Sequence, residues 1–146
     1  MELDWYDFGE STLLATDYKP YEAKLVLTID GRMTIDNPRS RTVKKFEDYW
    51  EVIEIVLNGV RCCDFIRSPH MKWNNEDLGD IYSLVIYQNQ NVPLAGPWFH
   101  DVSLDYIKGE QRLHGIHSPI AKQYCEFVSD SLAFVAGFEW LLLKAV

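Results

Sequence analysis

An α+β fold is what the chain predicts: an antiparallel or mixed sheet with helices packed on it, in the order ββαβββ(β)α. Three observations carry that reading. Residues 21–30 form a β-branched, apolar run that ends in Asp30-Gly31. Apolar residues recur every three or four positions over 42–58, and a second such stripe follows Ser118-Pro119 toward the C-terminus. With 146 residues, 47% of them hydrophobic, residues 1–146 form a single domain with ample material for one core.

Taken in order, 21–30 and 32–36 flank Asp30-Gly31, the signal of a two-residue hairpin turn in which glycine supplies positive φ. Asn37-Pro38 ends the second strand, because proline donates no ladder hydrogen bond. The mid-chain helix, 42–58, places Val43, Phe46, Tyr49/Trp50, Ile53 and Val56/Leu57 on one face. Thr42 caps its start and Asn58-Gly59 stops it. Residues 60–66 suit a strand, 68–79 a polar loop, and 80–87 a central strand rich in β-branched and aromatic side chains. Residues 88–101 contain Pro93, Gly96 and Pro97 and cannot sustain a ladder, whereas 102–107 and 110–116 flank Lys108-Gly109 as a second hairpin. Ser118-Pro119 then opens a long C-terminal helix. Gly137 offers an alternative in which that helix ends and 139–145 is a strand.

The net charge of −8 is unevenly placed. Residues 1–18 hold five acids (Glu2, Asp4, Asp7, Glu10, Asp17) and residues 73–107 five more (Glu76, Asp77, Asp80, Asp101, Asp105). Neither stretch contains a Lys or Arg, so the remainder of the chain sums to +2. A surface of this kind disfavours nucleic acid and anionic membrane and favours a cationic partner. A solvated surface normally mixes signs. Aromatic anchors interleave with these acids, as interface hot spots do. The partner-binding set is therefore Trp5, Glu10, Asp17, Trp73, Glu76, Asp77, Asp80, Trp98, Phe99, Asp101 and Asp105.

Arg39, Arg41, Lys44 and Lys45 gather at the start of the mid-chain helix, against the usual preference for acids there. Backbone N–H groups and four cations would converge on a phosphate or carboxylate, making an anion site. The structural alternative pairs Lys44 with Asp48 and leaves the rest solvated. His70, His100, His114 and His117 include two imidazoles three apart, but no HExxH or C-x-x-C accompanies them, so no metal is assigned. Cys62-Cys63 and Cys125 make an odd, partly adjacent set that suits buried thiols in a reducing cytoplasm better than a disulfide framework. The N-terminus has no basic segment followed by an apolar one, as a secretory signal would.

P-loop, GxGxxG and GxSxG motifs are all absent, and no cofactor is implied. The leading reading is a non-enzymatic acidic inhibitor that neutralises a basic protein partner, of the immunity-protein, antitoxin or nuclease-inhibitor kind. The alternative is a protein that binds a small ligand or nucleotide at that anion site; in a hydrolytic version of it, His100 with Asp101 or His117 transfers the proton. A third reading is a homodimer joined through the apolar run 132–146, which begins at Leu132 and ends at Val146.

Overall fold

A computed structural model describes residues 2–67, 79–88 and 121–146. Their helical segments are short 3-10 turns, and eight strands do the rest. The strands are β1 (Tyr6–Lys19), β2 (Lys24–Met33), β3 (Trp50–Asn58), β4 (Cys62–Arg67), β5 (Ile81–Gln88), β6 (Gln123–Ser129), β7 (Leu132–Phe138) and β8 (Trp140–Ala145). They form two four-stranded antiparallel sheets, ordered β1-β2-β3-β8 and β4-β7-β6-β5. The α+β class is therefore wrong, and this portion of the chain is all-β. No helix of the described residues is long and apolar enough to cross a membrane.

Each misassigned element has a physical cause. The mid-chain helix is replaced by 3-10 turns at Pro38–Thr42 and Phe46–Tyr49, followed by β3. Within β3 the buried residues Ile53, Ile55 and Leu57 alternate with Val52 and Glu54, a period of two rich in β-branched side chains. The C-terminal helix is replaced by β6, β7 and β8. Ser129 makes the first turn compact: its hydroxyl accepts from the Leu132 amide at 3.2 Å and donates to the Leu132 carbonyl at 3.0 Å. The expected hairpin at Asp30-Gly31 does not exist either. Gly31 lies inside β2 opposite Glu51, and the turn falls earlier, at Pro20–Glu22, where Ala23 adopts the left-handed conformation (φ 50°). The strand expected over 60–66 appears as β4. That expected over 80–87 appears as β5, at the end of its sheet and not in the centre. The loop over 68–79 falls outside the described residues except at its last position, and 88–101 except at its first. The hairpin over 102–116 lies wholly outside them.

The two sheets share strands at their corners. β3 runs into β4 through Gly59, and β7 into β8 through Glu139, so one antiparallel pair passes from sheet to sheet at a bend. At that bend the Glu139 amide donates to the Asn58 carbonyl at 2.9 Å, and the Arg61 amide to the Gly137 carbonyl at 2.9 Å. The far side closes more weakly. There β1 meets β5 through one bridge, Thr12 opposite Asp80, with the Leu13 amide donating to the Gly79 carbonyl at 2.9 Å. The order β1–β2–β3/β4–β7/β8–β6–β5 thus returns to β1, a barrel with one thin seam.

Inside, Leu25, Leu27, Ile29, Ile53, Ile55 and Leu57 of the first sheet face Cys125, Phe127, Phe134, Ala136 and Phe138 of the second. Phe127 and Phe134 stack at 5.1 Å, and Phe65 leans on Phe134 at 5.4 Å. Cys63 and Cys125 both lie opposite Ala136, one on each side of β7, and neither is in a disulfide. Two strand spacings part their backbones by roughly 9–10 Å, beyond the reach of a disulfide. Burial pushes the Cys125 thiol well above its ordinary range, so it serves as core filling and not as a nucleophile.

Candidate functional site

The seam owes its shape to an irregular stretch of β1. Asp7 lies opposite Arg32 and Thr12 opposite Asp30, so Phe8, Gly9, Glu10 and Ser11 all face the single residue Gly31. Ser11 mends the broken ladder: its hydroxyl accepts from the Arg32 amide at 3.0 Å and donates to the Asp7 carbonyl at 2.6 Å. Glycine suits position 31 because a Cβ there would lie 3.1 Å from the Tyr6 ring and 3.3 Å from Ile53, a tight fit that those side chains would have to relieve. Such a bulge bends its strand.

Beyond the bridge, antiparallel continuation would carry Phe8 past Leu84 and Tyr6 past Ile86. Among the described residues no ladder joins them, and a groove of about 600 Å³ opens instead. Its walls are Leu3, Asp4, Tyr6, Asp7, Phe8, Thr34 and Asp36 on one side and Leu84, Val85 and Ile86 on the other. Leu3, Phe8, Leu84 and Ile86 pack onto the core and form an apolar floor. Asp4, Asp7 and Asp36 are exposed along the rim. Thr34 organises that rim: its hydroxyl donates to the Asp4 carbonyl at 2.7 Å and accepts from the Asp36 amide at 3.3 Å.

The lining contains three carboxylates and no Lys or Arg. Among the described residues no ion pair involves Asp4, Asp7 or Asp36. Arg32 is the cross-strand neighbour of Asp7, but its guanidinium lies over Trp50 (5.4 Å) and Phe46 (6.0 Å) and approaches Glu10 at 3.8 Å.

Of the residues singled out in the sequence, Asp80 is exposed at the seam, and its amide donates to the Asp130 carboxylate at 3.0 Å. Glu10 lies near Arg32, and Asp17 pairs with Lys19 at 3.4 Å, so the chain's own cations take up part of their charge. Trp5 is half-buried against the core and contributes little free surface. Trp73, Glu76, Asp77, Trp98, Phe99, His100, Asp101, Asp105 and His117 lie outside the described residues, as do His70 and His114. Among the described residues no group of three or more His, Cys, Asp or Glu could hold a metal.

The basic cluster has lost the helix terminus on which its anion site was argued. Arg39 is committed elsewhere, bonded to Glu51 and, at 3.0 Å, to the Tyr6 hydroxyl. Tyr6 also donates to Glu51, and burial with that carboxylate raises its phenol well above the ordinary value of 10.0. Arg41 joins Arg32, Phe46 and Tyr49 in a second cleft of about 680 Å³, which Asp7 also lines. Lys44 and Lys45 are exposed. Asp4, Asp7 and Asp36 are not in the partner-binding set read from the sequence. For the first two the signal was their membership of a Lys- and Arg-free stretch, and Asp36 carried none.

Comparison with known proteins finds no matching protein family, curated protein or solved structure.

Proposed function

We propose that this chain is a binding protein and not an enzyme: an acidic domain that captures a basic protein partner and neutralises it in the cytoplasm, as immunity proteins, antitoxins and nuclease inhibitors do. One observation carries the reading. Leu3, Asp4, Tyr6, Asp7 and Phe8 from the first stretch without Lys or Arg, and Leu84, Val85 and Ile86 from the second, line one groove at the β1–β5 seam; its acidic rim is Asp4, Asp7 and Asp36, and the second stretch adds to its apolar floor. An enzyme that grips phosphate groups presents a positive surface, and an acidic face with apolar anchors competes for it. The rim carboxylates supply long-range steering, and the floor supplies contact once water is displaced.

The test separates location from net charge. An octalysine peptide serves as the cationic probe. Reversing Asp4, Asp7 and Asp36 to Lys should lower its association rate constant at least tenfold at low salt. Reversing the exposed Glu22, Glu47 and Asp48 changes net charge equally and should cost less than twofold. Equal losses from the two triples would reduce the effect to overall charge and refute the groove.

A further inference from the structure

We infer that the second cleft, between the end of β2 and the 3-10 turns Pro38–Thr42 and Phe46–Tyr49, binds a nucleotide, with the phosphate on Arg32 and Arg41 and the base on Phe46 and Tyr49. The site goes beyond the acidic groove and its basic partner. Asp7 and Arg32 are cross-strand neighbours, so their side chains stand on the same face of the sheet and both line this cleft. Of the basic cluster read from the sequence, Arg41 alone lines it, and its companion Arg32 comes from β2.

Both guanidinium groups have donors to spare. Arg32 lies over Trp50 and Phe46, and the carboxylate it pairs with, Glu10, is 3.8 Å away, too far for a hydrogen bond. Stacking of this kind fixes the guanidinium plane and leaves its edge for a phosphate. Arg41 makes no side-chain hydrogen bond or ion pair among the described residues. By contrast Arg39, Arg61, Lys19, Lys122 and Lys144 are each paired with an acid. Phe46 is 64% exposed and meets Tyr49 edge-on at 6.5 Å, which leaves aromatic surface on which a base can stack. Asp7 repels a bare anion but accepts hydrogen bonds from ribose hydroxyls, so the set favours a nucleotide over inorganic phosphate. At about 680 Å³ the cleft has the size of a small-ligand site.

Calorimetric titration of the intact chain with adenosine monophosphate, ribose 5-phosphate and adenosine tests the assignment. The nucleotide should bind, and each fragment should bind more weakly by about tenfold or more. Arg41→Ala should weaken the nucleotide and ribose 5-phosphate but not adenosine, and Phe46→Ala should weaken the nucleotide and adenosine. Lys24→Ala, at the opposite end of β2, removes the same charge and should change affinity by less than about twofold. No binding of the nucleotide at millimolar concentration would overturn the site. So would equal binding of ribose 5-phosphate, or an equal loss in Lys24→Ala.

Discussion

Replacing Phe134 with Ala is expected to remove about 3–5 kcal/mol of stability, the usual cost of emptying a buried aromatic site. Phe134 is fully buried on β7, stacked on Phe127 from β6 and touched by Phe65 from β4. It therefore ties three strands of the second sheet together where that sheet meets Ile55 and Leu57 of the first. Domains of this size hold roughly 5–15 kcal/mol in total, so the variant should be marginal at room temperature. Urea unfolding followed by fluorescence measures it. A loss below about 1 kcal/mol would mean that the two sheets do not share this core.

Replacing Gly59 with Ala should cost about 2–5 kcal/mol, combining a left-handed backbone with overpacking. Gly59 has φ +65° at the bend from β3 to β4, and a Cβ there would stand 2.5 Å from the Cγ and 2.7 Å from the Cβ of Glu139. Glu139 cannot retreat freely. Its amide is bonded to Asn58, and its carboxylate is bonded to Arg61 and lies 3.6 Å from Lys122. The Arg61 bond holds that carboxyl below its ordinary range. The bend is where one antiparallel pair passes between sheets, so the strain falls on the joint of the barrel. The same urea experiment reports it, and a neutral result would contradict the left-handed corner.

Strand content was legible in β2, β4 and β5, whereas β1 was assigned no element and β3 was read as helix. The alternation Leu25, Leu27, Ile29 against Val26, Thr28, Asp30 marks β2, and 80–87 was read correctly as a strand. Alternation failed in β6 and β7. There Tyr124, Glu126, Val128, Ala133 and Val135 are buried as well as Phe127 and Phe134, so the run is buried on both faces. A continuous apolar run carries no period that separates strand from helix. Phe46, Tyr49/Trp50 and Ile53 imitated helical spacing because they span a 3-10 turn that abuts β3. Asp30-Gly31 misled for a different reason. Glycine is there for the close approach of Tyr6 and Ile53 beside the bulge, and local sequence cannot distinguish that from a turn. The charge asymmetry was legible as composition. Which acids share a surface was not, because Asp36 reaches the groove only through the pairing of β1 with β2 and the Thr34 hydrogen bonds.

Amide hydrogen exchange, with and without the octalysine peptide, tests most directly whether the groove at the β1–β5 seam is the binding surface. Bound peptide should slow exchange at Asp7, Phe8 and residues 84–86 and leave residues 24–30, already paired on both sides by β1 and β3, unchanged. Protection that appears along β8 instead, or binding without any change at the seam, would contradict it.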